Sequence, residues 1–303
     1  MMNYKELERD AEIGYARAAR LLEEREQLLE RLPIRDGLGN PLTWCPSAIP
    51  QRLLQSIDKM YESISITDFD TDISIDQESF HSCRIEGAET TQEELFEVFR
   101  ANRTGVKGDK MIQNTYRAVK YLNVRHKRDE ETLITLWRIL TDGVLDEPVS
   151  PGEAYRTGNV AVWSHKVPEA ELLGYCMKQF FEFYYGDNMD CVKSPYIKMA
   201  VLHFYFVYMH PFCDGNGRIA RLISSDFLIR SGLENFSALT LSKTVNNTKE
   251  NYYQALDLCD NQFYDVTPFI QYILKAVYDN IYEVLDNQHK NVVEYIDWEK
   301  VFE

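Results

Sequence analysis

Apolar residues recur at helical spacing along most of this chain. From about Tyr4 to Leu32 the sequence is rich in Glu, Leu, Ala and Arg and reads as one helix ending before Pro33. The Pro- and Gly-containing stretch IRDGLGNPLTWCPSAIP follows as a connector, and a second helix is expected from Gln51 to about Ile64. The acidic TDFDTD leads into a shorter helix that stops at Gly87, and Thr91-x-x-Glu94 opens another with a capping-box pattern. Helical periodicity returns near 110–124, 130–143 and 169–185. Ser194-Pro195 marks a strong helix start, and the segment after it, YIKMAVLHFYFVYM, is apolar nearly all round, as in a helix buried at the centre of a fold. Thr267-Pro268 starts the last long helix, with Ile270, Ile273, Leu274, Val277, Ile281 and Leu285 on one stripe. One region breaks the pattern. YRTGNVAVWSHKVP, residues 155–168, mixes β-branched residues with Gly158-Asn159 and reads as a short β-hairpin or extended flap. The fold class is mainly α.

Composition narrows what such a fold could do. With 303 residues and 45% hydrophobic content the chain can bury a large core. A net charge of −15 argues against a general nucleic-acid surface, since phosphate binding needs an excess of Lys and Arg. No apolar run reaches membrane-span length, and MMNYKELERD has no apolar signal-peptide core. The six cysteines contain no C-x-x-C pair and are expected as reduced thiols in a cytoplasmic protein.

Candidate chemistry concentrates in HPFCDGNGRIAR, residues 210–221. His210 stands where the buried helix must end, because Pro211 disfavours helical geometry in the residue before it. The CDGNG loop is small and flexible enough for its backbone N–H groups to converge on an anion. A new helix, RIARLISSDFLIRSG, is expected from about Gly217 to a cap at Gly232, with its positive end beside the loop. Arg218 and Arg221 share one face of it and suit phosphate oxygens. Asp214 is a hard oxygen ligand suited to Mg²⁺ bridged by phosphates. His210 is the one residue of the stretch able to take a proton near neutral pH. Together these residues point to nucleotide chemistry with a metal and a general base.

The stretch resembles the signature of Fic-domain proteins, HPFx(D/E)GNGRxxR, at every defined position. Most such proteins are adenylyltransferases that move AMP from ATP to a hydroxyl of a target protein. The resemblance implies a Fic-type helical bundle with a β-hairpin flap, and it implies roles. His210 would deprotonate the target hydroxyl and Phe212 would anchor the loop in the core. Asp214 would hold Mg²⁺. The Gly215-Asn216-Gly217 backbone would cradle the α- and β-phosphates, and Arg218 and Arg221 would hold the β- and γ-phosphates. The flap, about 154–168 with Gly158, Asn159, Val160, Ala161, Val162 and Trp163, would align an extended piece of target by strand addition. NYYQALDLCD resembles the helix near the adenine, which makes Tyr252 and Tyr253 candidate base contacts. The Fic core would span 66–265, flanked by helical regions 1–65 and 266–303.

SCRIEG, residues 82–87, adds a regulatory expectation. Glu86 falls at a helix C-terminus, where a carboxylate opposes the helix dipole and gains from a nearby cation. The segment resembles the inhibitory pattern (S/T)xxxE(G/N) through Ser82, Glu86 and Gly87, on a helix of about 74–86. In proteins of that type the Glu pairs with the second motif Arg, here Arg221, and blocks the γ-phosphate. The resemblance thus implies an autoinhibited protein adenylyltransferase with ATP as substrate, Mg²⁺ as cofactor and a protein as target. Self-modification and a homodimer stay open, as do two rival readings: removal of AMP from a modified protein, and a non-catalytic nucleotide-binding scaffold.

Overall fold

Helices dominate the described residues of the computed structural model, which are 15–66, 68–100, 103, 105–124, 127–146, 154–162, 165–185, 192–259 and 265–288. In chain order the elements are α1 (Tyr15–Glu26), β1 (Glu30–Arg35), β2 (Pro41–Trp44), α2 (Gln51–Tyr61), α3 (Asp68–Ile85), α4 (Leu95–Arg100), α5 (Lys107–Val124), α6 (Glu130–Thr141), β3 (Ala161–Val162), β4 (His165–Lys166), α7 (Leu173–Tyr185), α8 (Pro195–Met209), α9 (Asn216–Arg230), α10 (Leu241–Asn247), α11 (Lys249–Leu258) and α12 (Thr267–Asn287). They form two compact units. One comprises residues 1–64, 159–209 and 250–303, the other 65–158 and 210–249. The units follow the chain differently from the linear division into 1–65, 66–265 and 266–303, because each core is assembled from helices distant in sequence.

In the first unit α8 is the hub. Twelve of its fifteen residues are buried, and it packs on α7 and α12. The expected stripe of α12 is realised, with Ile270, Ile273, Leu274, Val277, Ile281 and Leu285 all buried. Two differences from the sequence reading stand out. The helix expected to reach Leu32 stops at Glu26, and the connector after it is a β-hairpin, with Glu30 opposite Trp44 and Arg31 opposite Thr43. Leu32 and Ile34 alternate inward with Leu42 and Trp44, so strand burial overrides the helical propensity of the preceding residues. The register shifts between Arg31 and Arg35, where Pro33 cannot donate to the ladder. Asp36 closes the turn by accepting the N–H groups of Leu38 (2.9 Å) and Asn40 (2.7 Å). The flap is a second two-stranded antiparallel sheet, with Ala161 opposite Lys166 and Val162 opposite His165; Trp163 lies outside the described residues.

A buried ion pair ties α1 to the start of α12 in this unit. Arg25 and Asp265, 1% exposed each, are hydrogen-bonded to one another, and Asp265 also accepts the Thr267 N–H (3.0 Å) and hydroxyl (2.6 Å). The Thr267 oxygen in turn accepts the Cys45 N–H (2.8 Å) at the end of β2.

In the second unit α3 packs on α5 and α10, and α5 packs on α6. α3 begins at Asp68, so the acidic TDFDTD lies largely inside the helix rather than before it. Phe80 and Cys83 of α3 join Ala88, Leu95, Val98, Met111, Ile112 and Val144 in one apolar cluster. α9 ends as its Gly232 predicts: Gly232 has φ +90°, and the Leu233 N–H returns to the Leu228 carbonyl at 3.1 Å.

Removing one partner of the Arg25–Asp265 pair strands a buried charge. Asp265→Ala is expected to lower folding stability by about 3–5 kcal/mol, read as a drop in the midpoint of urea unfolding; a loss under about 1 kcal/mol would contradict the pair's role.

Candidate active site

The 210–221 segment lies in the second unit and is fixed by its own side chains. α8 ends at Met209, and the next residue, His210, has φ +46°. Among the described residues it is the one non-glycine residue with positive φ, a conformation that costs a β-carbon-bearing residue about 1–2 kcal/mol. Phe212 is fully buried, stacked on Trp137 (ring centroids 5.2 Å apart, planes 5° apart) and tilted against Tyr155 (5.4 Å). The anchoring expected of Phe212 is thus an aromatic contact with α6 and the 155 segment. The Asn216 side chain closes the loop on itself. Its Oδ1 accepts the Phe212 N–H (3.0 Å) and its Nδ2 donates to the Phe212 carbonyl (2.8 Å).

Gly215, at φ +82°, is the N-cap of α9 and supplies no side-chain cap, so the first N–H groups of the helix face the loop uncapped. Around this end stand the two arginines. Arg218 is 0% exposed and donates to the Leu140 carbonyl (3.2 Å) and Asp214 Oδ2 (3.3 Å). Its Nε, and the Nε1 of neighbouring Trp137, are buried and find no hydrogen-bond partner among the described residues. Asp214 Oδ1 accepts the Gly215 N–H at 2.5 Å. Arg221, 2% exposed, donates through Nε to Ser82 Oγ (2.8 Å) and through Nη2 to the Ser82 carbonyl (2.9 Å) and Glu86 Oε1 (2.7 Å).

Glu86 therefore meets the cation that its place at a helix end calls for. A complete C-terminal cap aims it: Gly87 has φ +89°, its N–H returns to the Arg84 carbonyl (3.1 Å), and the Ala88 N–H returns to the Cys83 carbonyl (3.0 Å). The carboxylate lies against the first turn of α9, and a β-carbon on Gly217 would collide with Glu86 Oε1. Removal from water pushes this carboxyl up. Arg221, by charge and hydrogen bond, and then Arg218 and Lys249, more than offset that and leave it below the ordinary carboxylate range. Its side chain remains 31% exposed.

The arrangement suits a polyphosphate and its metal. Buried guanidinium groups, an open helix N-terminus and an unpartnered Arg218 Nε are donors with anionic work to do. Among the described residues no three His, Cys, Asp or Glu side chains group to hold a metal; Asp214 is a hard oxygen donor of the kind that Mg²⁺ takes.

The remaining candidates divide. Ser82 and Glu86 converge on Arg221 with Gly87 capping the helix behind them, whereas Tyr252 and Tyr253 sit on α11. Tyr252 is 2% exposed, its hydroxyl 3.0 Å from His203 Nε2 and its ring against Phe269, which is core packing. Tyr253 is half-buried. In the flap, Gly158 and Asn159 are exposed, and Asn159 Oδ1 accepts the Ala170 N–H (3.1 Å). Three contributors were not signalled by the motif. The Asn216 side chain acts as a loop clamp rather than through its backbone alone. Trp137 looked like one more apolar position of a helix. Arg156 binds the His210 carbonyl (2.8 Å).

Residues 127–228 match the model of the Fic/DOC family. Protein adenylyltransferase Fic of Drosophila virilis is 30% identical over 207 residues, covering 65% of this chain and 40% of that protein. The chain thus spans about two-fifths of the length of the curated relatives it matches. Fic-1 of C. elegans has a similar fold, with a TM-score of 0.71 at 19% identity over 94% of this chain and 81% of that one. A Fic family protein from Desulfovibrio desulfuricans G20 gives 0.70 at 22% identity, over 85% and 78%.

Among the described residues nothing lies within 4 Å of a β-carbon placed on Gly87, so substitution there is expected to meet conformational cost alone. Gly87→Ala is expected to cost about 1–2 kcal/mol of stability, measured by urea unfolding; an unchanged midpoint would mean that the cap does not constrain the end of α3.

Proposed function

The chain belongs to the Fic/DOC family, and on that premise we propose that it is an ATP-dependent protein adenylyltransferase restrained by Glu86. The observation that carries the reading is the N-terminus of α9, where uncapped N–H groups, buried Arg218 and buried Arg221 face a loop that begins at His210. The Gly215–Gly217 backbone and Arg218 bind the phosphates of ATP. Asp214 is the residue that would hold Mg²⁺, which would supply charge neutralisation on the triphosphate. A hydroxyl oxygen of the target attacks the α-phosphorus, the bond to the bridging oxygen breaks, and pyrophosphate leaves. His210 takes the proton of the attacking hydroxyl. Catalysis is mostly positioning and charge stabilisation. The flap supplies main-chain groups that align an extended target segment.

Glu86 restrains this by occupying Arg221. While the carboxylate holds Nη2, the γ-phosphate has no cation at that place, and ATP binds in a geometry unfit for attack. Without Glu86, Arg221 keeps the Ser82 contacts and turns its remaining donors to the nucleotide.

The test uses ATP labelled at the α-phosphate with wild type, Glu86→Gly, and Glu86→Gly/His210→Ala, with cell lysate as target. Label is expected on protein with Glu86→Gly, at least tenfold above wild type, and lowered about 10²–10⁴-fold by the second substitution. No label with any variant would overturn adenylyl transfer. AMP removal from modified protein that is lost in Glu86→Gly would favour the hydrolytic reading instead.

The ion pair also sets a pH expectation. A carboxyl held below its ordinary range stabilises the folded pairing fully above that range and loses it only as pH falls through the depressed value. Labelling by the wild-type chain is therefore expected to stay low and flat from about pH 8 to about pH 5. A rise within that window would show that the Glu86–Arg221 pair does not hold the restraint.

A further inference from the structure

We propose that Arg156 is a positioning residue for His210, holding the backbone of the catalytic base and the entrance of the flap with one guanidinium group. The inference rests on the transferase reading for what His210 does, but its geometry stands independently. Arg156 is 7% exposed. Its Nε donates to the His210 carbonyl (2.8 Å), its Nη1 to the Gly158 carbonyl (3.0 Å), and its own N–H to the Pro211 carbonyl (2.8 Å). All three bonds end on main-chain oxygens, two of them in the histidine and proline that open the loop. Gly158 is the residue from which the chain runs on to β3.

These bonds answer a question that the backbone itself raises. His210 is held at φ +46°, which a histidine does not adopt without restraint. A strained residue keeps its conformation only where its surroundings over-determine it, and such residues concentrate at functional sites. Here Pro211 restricts His210 from one side by its ring, and Arg156 turns the His210 carbonyl from the other. The φ and ψ of a residue set its Cα–Cβ direction and the rotamers open to it, and so the place from which an imidazole reaches. A side chain that fixes the carbonyl therefore fixes where the base is mounted, and misplacement by about 1 Å costs about 10²-fold in rate. The planar guanidinium is needed because Nε and Nη1 reach two carbonyls at once; a lysine ammonium has no such fork.

A stapled loop with no bearing on the base is the alternative, and the test must separate the two. Arg156→Lys is made in the Glu86→Gly chain. The expected result is a fall in kcat of about 10²-fold with KM for ATP within about twofold, because nucleotide contacts are untouched. Rates are taken well below the thermal midpoint of the variant, so loss of folded protein does not enter. The second readout does not depend on catalysis. The chain has six histidines. In a histidine-labelled sample the His210 ring resonance, identified by its disappearance in His210→Ala, is expected to shift in Arg156→Lys, while those of the other five stay in place. Partial recovery of kcat in Arg156→Ala on adding ethylguanidinium would be further support.

An unmoved His210 resonance in Arg156→Lys overturns the proposal, whether or not kcat falls. A kcat within about twofold of the parent overturns it as well. If Glu86→Gly carries no adenylyl label but the His210 resonance shifts, the transferase reading fails and the positioning role stands.

Discussion

A guanidinium buried to 2% exposure has to be paired, and Arg221 is the group to which the second unit is fitted. It stands on α9 and finds its partners on another helix: the Ser82 hydroxyl, the Ser82 carbonyl and the Glu86 carboxylate. Ser82 and Glu86 are four residues apart, so one face of α3 presents both. α3 ends directly at this pair: Ile85 is its last residue, and the left-handed Gly87 stops the helix just after Glu86. The same cation lies beside the open end of α9, which any bound polyphosphate would use. On the proposed reading two anions would compete for one arginine, so the restraint and the nucleotide site would be one object rather than two communicating ones.

Around that cation, side chains are used to hold main chain. Asn216 grips both polar groups of Phe212, Asp214 takes the Gly215 N–H, and Arg156 takes carbonyls on either side of the flap entrance. Phe212 locks the loop from below through its stack on Trp137. The effect is a loop of small residues with little freedom left, which is what an anion cradle and a proton acceptor both need, since neither tolerates reorganisation during reaction.

Much of this was legible in residues 210–221, because the chemistry there is local: a histidine before a proline, glycines at a helix start, two arginines on one face. Gly87 and Gly232 were legible for the same reason, as left-handed caps at helix ends. What escaped was non-local. The β1–β2 hairpin hides because each strand is short and Pro33 interrupts the alternation, while Leu32 and Ile34 face inward only once Leu42 and Trp44 are opposite. Arg156 hides because the backbone oxygen it holds at His210 is 54 residues away, and no pattern of side chains marks a carbonyl. Tyr252 shows the converse. Two tyrosines in a row suggest a base platform, yet one is buried against His203 and Phe269 and serves the core of the first unit.

How α3 is docked decides which motion could free Arg221. The helix is held by more than the Ser82 and Glu86 contacts to α9; it is also tied to α10. Glu78, one turn earlier on the same face, is 8% exposed and accepts both the N–H (3.0 Å) and the hydroxyl of Ser242. Ser74 lies 3.2 Å from the Thr240 hydroxyl, one turn earlier still. Lifting α3 as a body would strip Glu78 of both donors and open the apolar cluster around Phe80 and Cys83, each buried. Rotating the Glu86 side chain breaks one ion pair and leaves every other contact of the helix in place. Glu86 is also the last residue before the cap, with its side chain already 31% exposed to the solvent that would receive it. Release is therefore cheapest at the carboxylate itself, with α3 acting as a fixed post and the side chain as the part that moves.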